Sequence, residues 1–297
     1  MRLTLLSSAS ALALAAAVGQ AQAAPDFTGV LQVYGGVGGS SDHDFFIGSD
    51  DPYFFGGTAK GYWPLSPDVH VQIDLFAQQT DNVVDNWPST DATVYGASMH
   101  WLHPIGDTWR VGVAGSIWYN EAFDLPPPGG QEGVTYGLAA LEVQYFGRYW
   151  SLEGQVGYFA DVACGNCFLE LTDGEFIRGK ARYYFSENTA LTAHAMEMWG
   201  STDDMVFTNK SLHATTLGLQ AEHKFDGSPY SGFLGVTYER DAIDKYGSTS
   251  SIQTTSVTLG FTYYLDQPTV QSNERTGASL DTPTFGNATA IGGMLKF

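Results

Sequence analysis

The sequence is poor in charge, poorest in positive charge, and nearly free of cysteine. Charged residues make up 15% of its 297 positions, against ~25% in soluble domains. An ordinary water-facing surface is therefore not what this composition builds. Lys and Arg number 13 against 32 Asp and Glu, for a net charge of −19. A chain this acidic lacks the basic surface that nucleic acid requires. The cysteines, Cys164 and Cys167, form a single C-x-x-C and are too close to staple a whole fold. No second pair completes a four-ligand metal site, and no redox-type βαβ pattern surrounds this one. A local disulfide stiffening a loop is the expectation for an exported chain. Beyond residue 24 no apolar run approaches the ~20 residues of a membrane-spanning helix.

Aromatics and glycine fill the gap. Aromatics reach 14%, with 16 Tyr and 18 Phe, beside 35 Gly. Few charges and many rings suit a chain with two solvents, one of them lipid. The start of the chain agrees. Arg2, the apolar stretch from Leu5 to Val18 and Ala21-Gln22-Ala23 read as a secretory signal peptide over residues 1–23, with the mature chain expected from Ala24.

The hydrophobic period is two almost throughout. In residues 69–77, Val69, Val71, Ile73, Leu75 and Ala77 share one face and His70, Gln72, Asp74 and Phe76 the other. Strands are predicted near 27–38, 54–64, 68–78, 92–102, 108–120, 134–146, 148–160, 175–185, 189–200, 211–225, 230–240 and 254–265. They are long for soluble sheets (about 5–6 residues) and match the ~9–11 residues that cross a bilayer at a tilt. Their connections alternate strictly between long and short. The short ones include Leu65-Ser66-Pro67, Ser186-Glu187-Asn188 and Asp226-Gly227-Ser228-Pro229. Strands arriving at short turns end in Trp63, Trp101, Tyr145-Phe146, Tyr184-Phe185, Phe225 and Tyr263-Tyr264, an aromatic belt at one end.

These signals predict an all-β fold: an antiparallel, up-and-down transmembrane β-barrel of about 12 strands over residues 24–265. The chain resembles the bacterial outer-membrane β-barrel (porin-like) class over 27–265. Its strand Val257-Thr258-Leu259-Gly260-Phe261-Thr262-Tyr263-Tyr264-Leu265 is similar to the terminal signal read by the barrel assembly machinery. The resemblance implies residence in the outer membrane, with outer-membrane lipid and that machinery as partners. It departs from the class in continuing past the final aromatic. Parity argues against a thirteenth strand, so residues 266–297 are expected as a C-terminal periplasmic extension. A tail folded into the lumen, or a misassigned first strand, are the alternatives.

Alternation also assigns the lumen. The polar face carries Lys60, Asp74, Arg110, Glu142, Glu153, Arg178, Lys180, Arg182, Glu222, Lys224 and Glu239, with His70 and His194, while Glu197 is the main charge on the opposite face. Arg178, Lys180 and Arg182, at i, i+2 and i+4, form a basic ladder that could set a field across a constriction, or could pair with the lumen glutamates. The predicted external loops are acidic, with Asp42, Asp44, Asp50 and Asp51 in the first and Asp241 and Asp244 in the last. Such a mouth concentrates cations. It could also bind Ca²⁺ or Mg²⁺, although a solvated loop surface is the simpler reading, so no metal site is assigned. The expected function is passive diffusion of ions or small hydrophilic solutes through a porin-like channel, with no cofactor. The alternatives are a closed structural or adhesion barrel and, more weakly, a rim enzyme built on acids such as Asp50, Asp51, Asp203 and Asp204 with His43. No Ser, His and acid group stands out at a matched depth, so no catalytic residue is assigned. Nothing in the pattern sets an oligomeric state.

Overall fold

The computed structural model describes residues 27–43, 53–82, 90–124, 131–164, 170–203, 210–245 and 248–283. The predicted signal peptide, Cys167 and the loop acids Asp44, Asp50, Asp51 and Asp204 lie outside these residues, as does the side chain of Cys164. Twelve strands run in chain order: β1 Thr28–His43, β2 Tyr53–Ser66, β3 Val69–Asn82, β4 Thr90–Ile105, β5 Trp109–Asp124, β6 Gln131–Phe146, β7 Trp150–Cys164, β8 Glu170–Ser186, β9 Thr189–Asp203, β10 Lys210–Lys224, β11 Tyr230–Lys245 and β12 Ser248–Leu265. Each pairs antiparallel with its sequence neighbours, and β1 pairs with β12, so the sheet closes on itself and leaves no edge.

The outward face is apolar. Val33, Val113, Ile117, Leu141, Val156, Leu219, Leu234, Leu259 and Phe261 are all exposed, which in water would be an aggregation surface and in lipid is the required one. At the short-turn end, rings pair across strands: Trp109 with Tyr145 and Trp150 with Tyr183, both at 4.8 Å between centroids, and Tyr230 with Tyr263 at 5.1 Å. This is the interfacial belt. Only one ring of each doublet joins it. Phe146, Tyr184 and Tyr264 are buried on the inner face, because successive side chains of a strand point opposite ways.

The strands run 14–18 residues, longer than their hydrophobic pattern. Asp241, expected in a loop, lies on β11, and Asp173, ahead of the predicted start of its strand, lies on β8. Above the bilayer both faces meet water and the apolar alternation fades, while the backbone ladder continues.

The C-terminal segment corrects the expected periplasmic tail. After Leu265 the chain reverses at Asp266, whose φ of 55° is left-handed, a conformation Asp tolerates better than most residues. A short helix follows, α1, Val270–Thr276, with Thr269 and Ser272 capping each other's backbone N–H. The helix sits across the periplasmic opening. Its Gln271 N–H donates to the Glu187 carbonyl (3.0 Å) and its Gln271 side chain to the Arg148 carbonyl (2.8 Å), both in short turns. Residues 277–283 then run up inside the barrel. Val270, Ala278 and Leu280 are buried against Val30, Tyr62, Leu102, Tyr184 and Tyr264. Apolar burial pulls the segment inward, and the lumen charges hold it there.

Candidate functional site in the barrel lumen

The lumen divides into a charged middle belt and an apolar outer collar. In the belt, the structure brings Lys60, Asp74, Glu142, Glu153, Arg178, Lys180, Arg182 and Glu222 onto the inner wall around residues 274–282. The Asp281 carboxylate is its centre. It pairs with Lys60 on β2, with Lys180 (2.9 Å) and with Arg178 (3.4 Å) on β8. In a ring of twelve, β2 and β8 lie on opposite walls. One side chain of the tail therefore spans the bore. Burial raises the cost of its charge, but Lys180, Lys60 and Arg178 outweigh it and hold the Asp281 carboxyl well below its usual 3.8.

Backbone contacts reinforce this. The Gln72 amide donates to the Leu280 carbonyl (2.8 Å) and accepts from the Leu280 N–H (3.2 Å), a side chain imitating a strand. Lys60 donates to the Leu280 carbonyl (2.7 Å), Lys180 to that of Ser279 (3.0 Å) and Gln155 to that of Asp281 (3.1 Å). Thr282 contacts Ser98 and lies 3.4 Å from the Asp74 carboxylate. Behind it, buried His100 bridges Asp74 (3.3 Å) and Glu142 (3.0 Å).

The basic ladder is thus fully engaged. Lys180 and Arg178 also pair with Glu153 (2.6 and 3.4 Å). Arg182 pairs with Glu274 of α1 (3.0 Å) and Glu222 (3.5 Å). Two other candidates sit lower in the lumen. Arg110 stacks over Phe146 and Tyr62, 4.8 and 5.3 Å from their centroids. Lys224 donates to the carbonyls of Ser228 (2.6 Å) and Pro268 (2.9 Å), fixing the base of the tail. Glu239 lies apart, on β11 near the outer mouth. Outside, Glu197 pairs with His213 (3.0 Å) and accepts from Thr215 (2.8 Å).

Sequence reasoning missed Asp281, Leu280, Ser279, Thr282 and Glu274 as site residues, because they belong to the segment placed outside the barrel. The signal was present in weak form: a surplus of lumen cations without enough acidic partners at their level, and a segment with one buried-type stretch, Ala278-Ser279-Leu280. It also missed the apolar collar. Phe76, Trp118, Tyr136, Phe159, Phe176, Met198 and Leu212 point inward and are buried, with Trp118 stacked on Tyr136 at 5.3 Å. The collar lines β3 to β10. The remaining wall, β11, β12, β1 and β2, carries the half-buried hydroxyl residues Thr237, Ser256 and Thr258, while the rings of Phe54, Tyr34 and Phe233 cover Gly36, Gly56 and Gly260.

No protein-family model and no curated protein sequence matches the chain. Among solved structures, an outer-membrane channel of Pseudomonas putida F1 superposes with a TM-score of 0.59, covering 83% of this chain and 98% of that one at 11% identity. Together with the lipid-type outer face, this settles the fold class. The chain has the fold of an outer-membrane β-barrel. The translocator domain of the autotransporter NalP from Neisseria meningitidis (TM-score 0.47, 12% identity, 86% and 95% covered) and the P. putida toluene transporter TodX (0.44, 8%, 83% and 91%) are also similar.

Proposed function

We propose that this barrel is a passive channel for small hydrophilic solutes, held shut at rest by its own C-terminal segment. One observation carries the reading: the Asp281 carboxylate ties opposite walls of the bore together. Yet the Asp281 side chain keeps 40% of its surface accessible, so the belt is not packed solid. A shift of residues 277–283 would open the belt, and the hydroxyls of Thr237, Ser256 and Thr258 on the inner wall suit polar solutes. The closed structural barrel is the competing reading. The ladder does not act as a free constriction on this account, since each of its cations is neutralised by the plug or by a glutamate.

Conductance in planar bilayers separates the two. The full mature chain should show low or flickering conductance, and a chain ending at Leu265 should conduct several-fold more, with its uncovered ladder shifting reversal potentials toward anions. If both chains are equally silent, the channel reading fails and the closed barrel stands.

A further inference from the structure

A groove opens on the outer surface of β9, β10 and β11, on the side away from the lumen. Its volume is about 430 Å³, and Trp199, Ser211, His213, Thr215, Arg240 and Asp244 line it. That size falls within the ~300–1,000 Å³ of small-molecule sites. Trp199 lies ten residues beyond Thr189, the short-turn end of β9, and Arg240 ten beyond Tyr230, the same end of β11. At ~3.3 Å per residue and a tilt of ~40°, ten residues climb about 25 Å, the height of a barrel's apolar band. Tyr119 stands ten residues beyond Trp109 on β5 and packs on Tyr95 at 5.2 Å. The groove therefore sits at the outer headgroup level, where rings mark the interface. Below it the outward face turns to Leu217, Leu219, Leu234 and Val236, a surface for acyl chains.

Arg240 is exposed, and among the described side chains it is the one Lys or Arg on the outward face of a strand. Its sheet partners are Thr215 and Gln253, and no acid among the described residues pairs with it. The acids beside the groove are already engaged. Glu197 pairs with His213 (3.0 Å) and accepts from Thr215 (2.8 Å), while Asp244 accepts from Ser211 (3.0 Å). The charge left over is the guanidinium, whose planar fork suits the oxygens of a phosphate. Beside it stands Trp199, 45% exposed, its ring 5.6 Å from that of His213. An indole face flanked by hydroxyl and carboxylate groups matches a sugar ring, which has apolar C–H faces and hydroxyl edges.

We propose that this groove binds the phosphorylated sugar headgroup of an outer-leaflet glycolipid. Arg240 takes the phosphate, Trp199 packs on the sugar, and the acyl chains descend along Leu217 and Val236. The proposal stands whether or not the barrel conducts.

Native mass spectrometry of the refolded, full mature chain in detergent, titrated with diphosphoryl lipid A, tests it. The parent chain should retain a single lipid A and prefer it about tenfold or more over phosphatidylglycerol, which offers a phosphate without the sugar. Arg240→Gln and Trp199→Ala should each weaken retention about tenfold or more. Asp173→Asn, at an outward acid bonded to Tyr158 and Ser201 outside the groove, should leave it unchanged. Heat-modifiable gel migration confirms that each variant forms the barrel, and either groove variant serves if the other does not fold. Lipid A retention by the groove variants equal to that of the parent chain, or equal retention of phosphatidylglycerol by the parent, would overturn the site.

Discussion

Asp281 is the residue on which the closed state turns. Asp281→Asn keeps its size and removes its charge, leaving Lys60, Lys180 and Arg178 facing one another around the segment. Repulsion among three cations should loosen residues 277–283, so trypsin should release the tail at least several-fold faster while the barrel stays intact. The pH dependence has a definite sign. A carboxyl held below its ordinary value stabilises the docked tail fully above that value, and loses its contribution only as pH falls through the depressed one. Lowering the pH from 7 to 5 should therefore leave the tail's protease protection unchanged. The collar offers an independent residue-scale test. Trp118 is 1% exposed, so Trp118→Ala should lower barrel stability by ~3–5 kcal/mol in urea unfolding. The inward placement of Lys60, Arg178 and Glu153 was legible in the sequence, because their neighbours on either side are apolar and lipid cannot host them. The partner of those bases was not. Asp281 lies 101 residues from Lys180, and no local pattern links them.

The strands were readable as elements because the period of two is imposed by two solvents. Their outer ends were not, since above the bilayer both faces are wet and β8 and β11 carry Asp173 and Asp241 on continuing ladders. The aromatic collar was hidden for a related reason: Phe76 and Trp118 occupy the inner face, where polar residues are the rule for such barrels. Helix α1 was also missed. Its 7 residues form no amphipathic repeat, and so short a helix holds through its cap and its docking. Thr269→Ala removes the cap oxygen that accepts the Ser272 N–H (3.0 Å). It should cost about 1 kcal/mol of helix stability, seen as faster hydrogen exchange over 270–276 with no change in the strands.

At the scale of the molecule, parity predicted an even barrel with both ends of the sheet on the short-turn side, and β1 does pair with β12 there. Parity places the end of β12 but is silent about where the chain goes next. With a thirteenth strand excluded, residues 266–297 were expected as a periplasmic extension, and so as a tail in solvent. In a lumen lined with Gln72, Lys60, Arg178 and Lys180, however, a polar segment is the one that fits, since each wall group needs a partner. The accessibility of that segment is the most direct test of the account. Ser279→Cys, with Cys164 and Cys167 replaced by Ser, places one thiol where the native residue is 6% exposed. The account predicts that a bulky, membrane-impermeant maleimide labels it at least tenfold more slowly than a thiol introduced by Asp226→Cys in an exposed periplasmic turn, and that unfolding in urea equalises the two. Equal labelling rates in the folded barrel would mean that the tail is outside the lumen, and would contradict the plug.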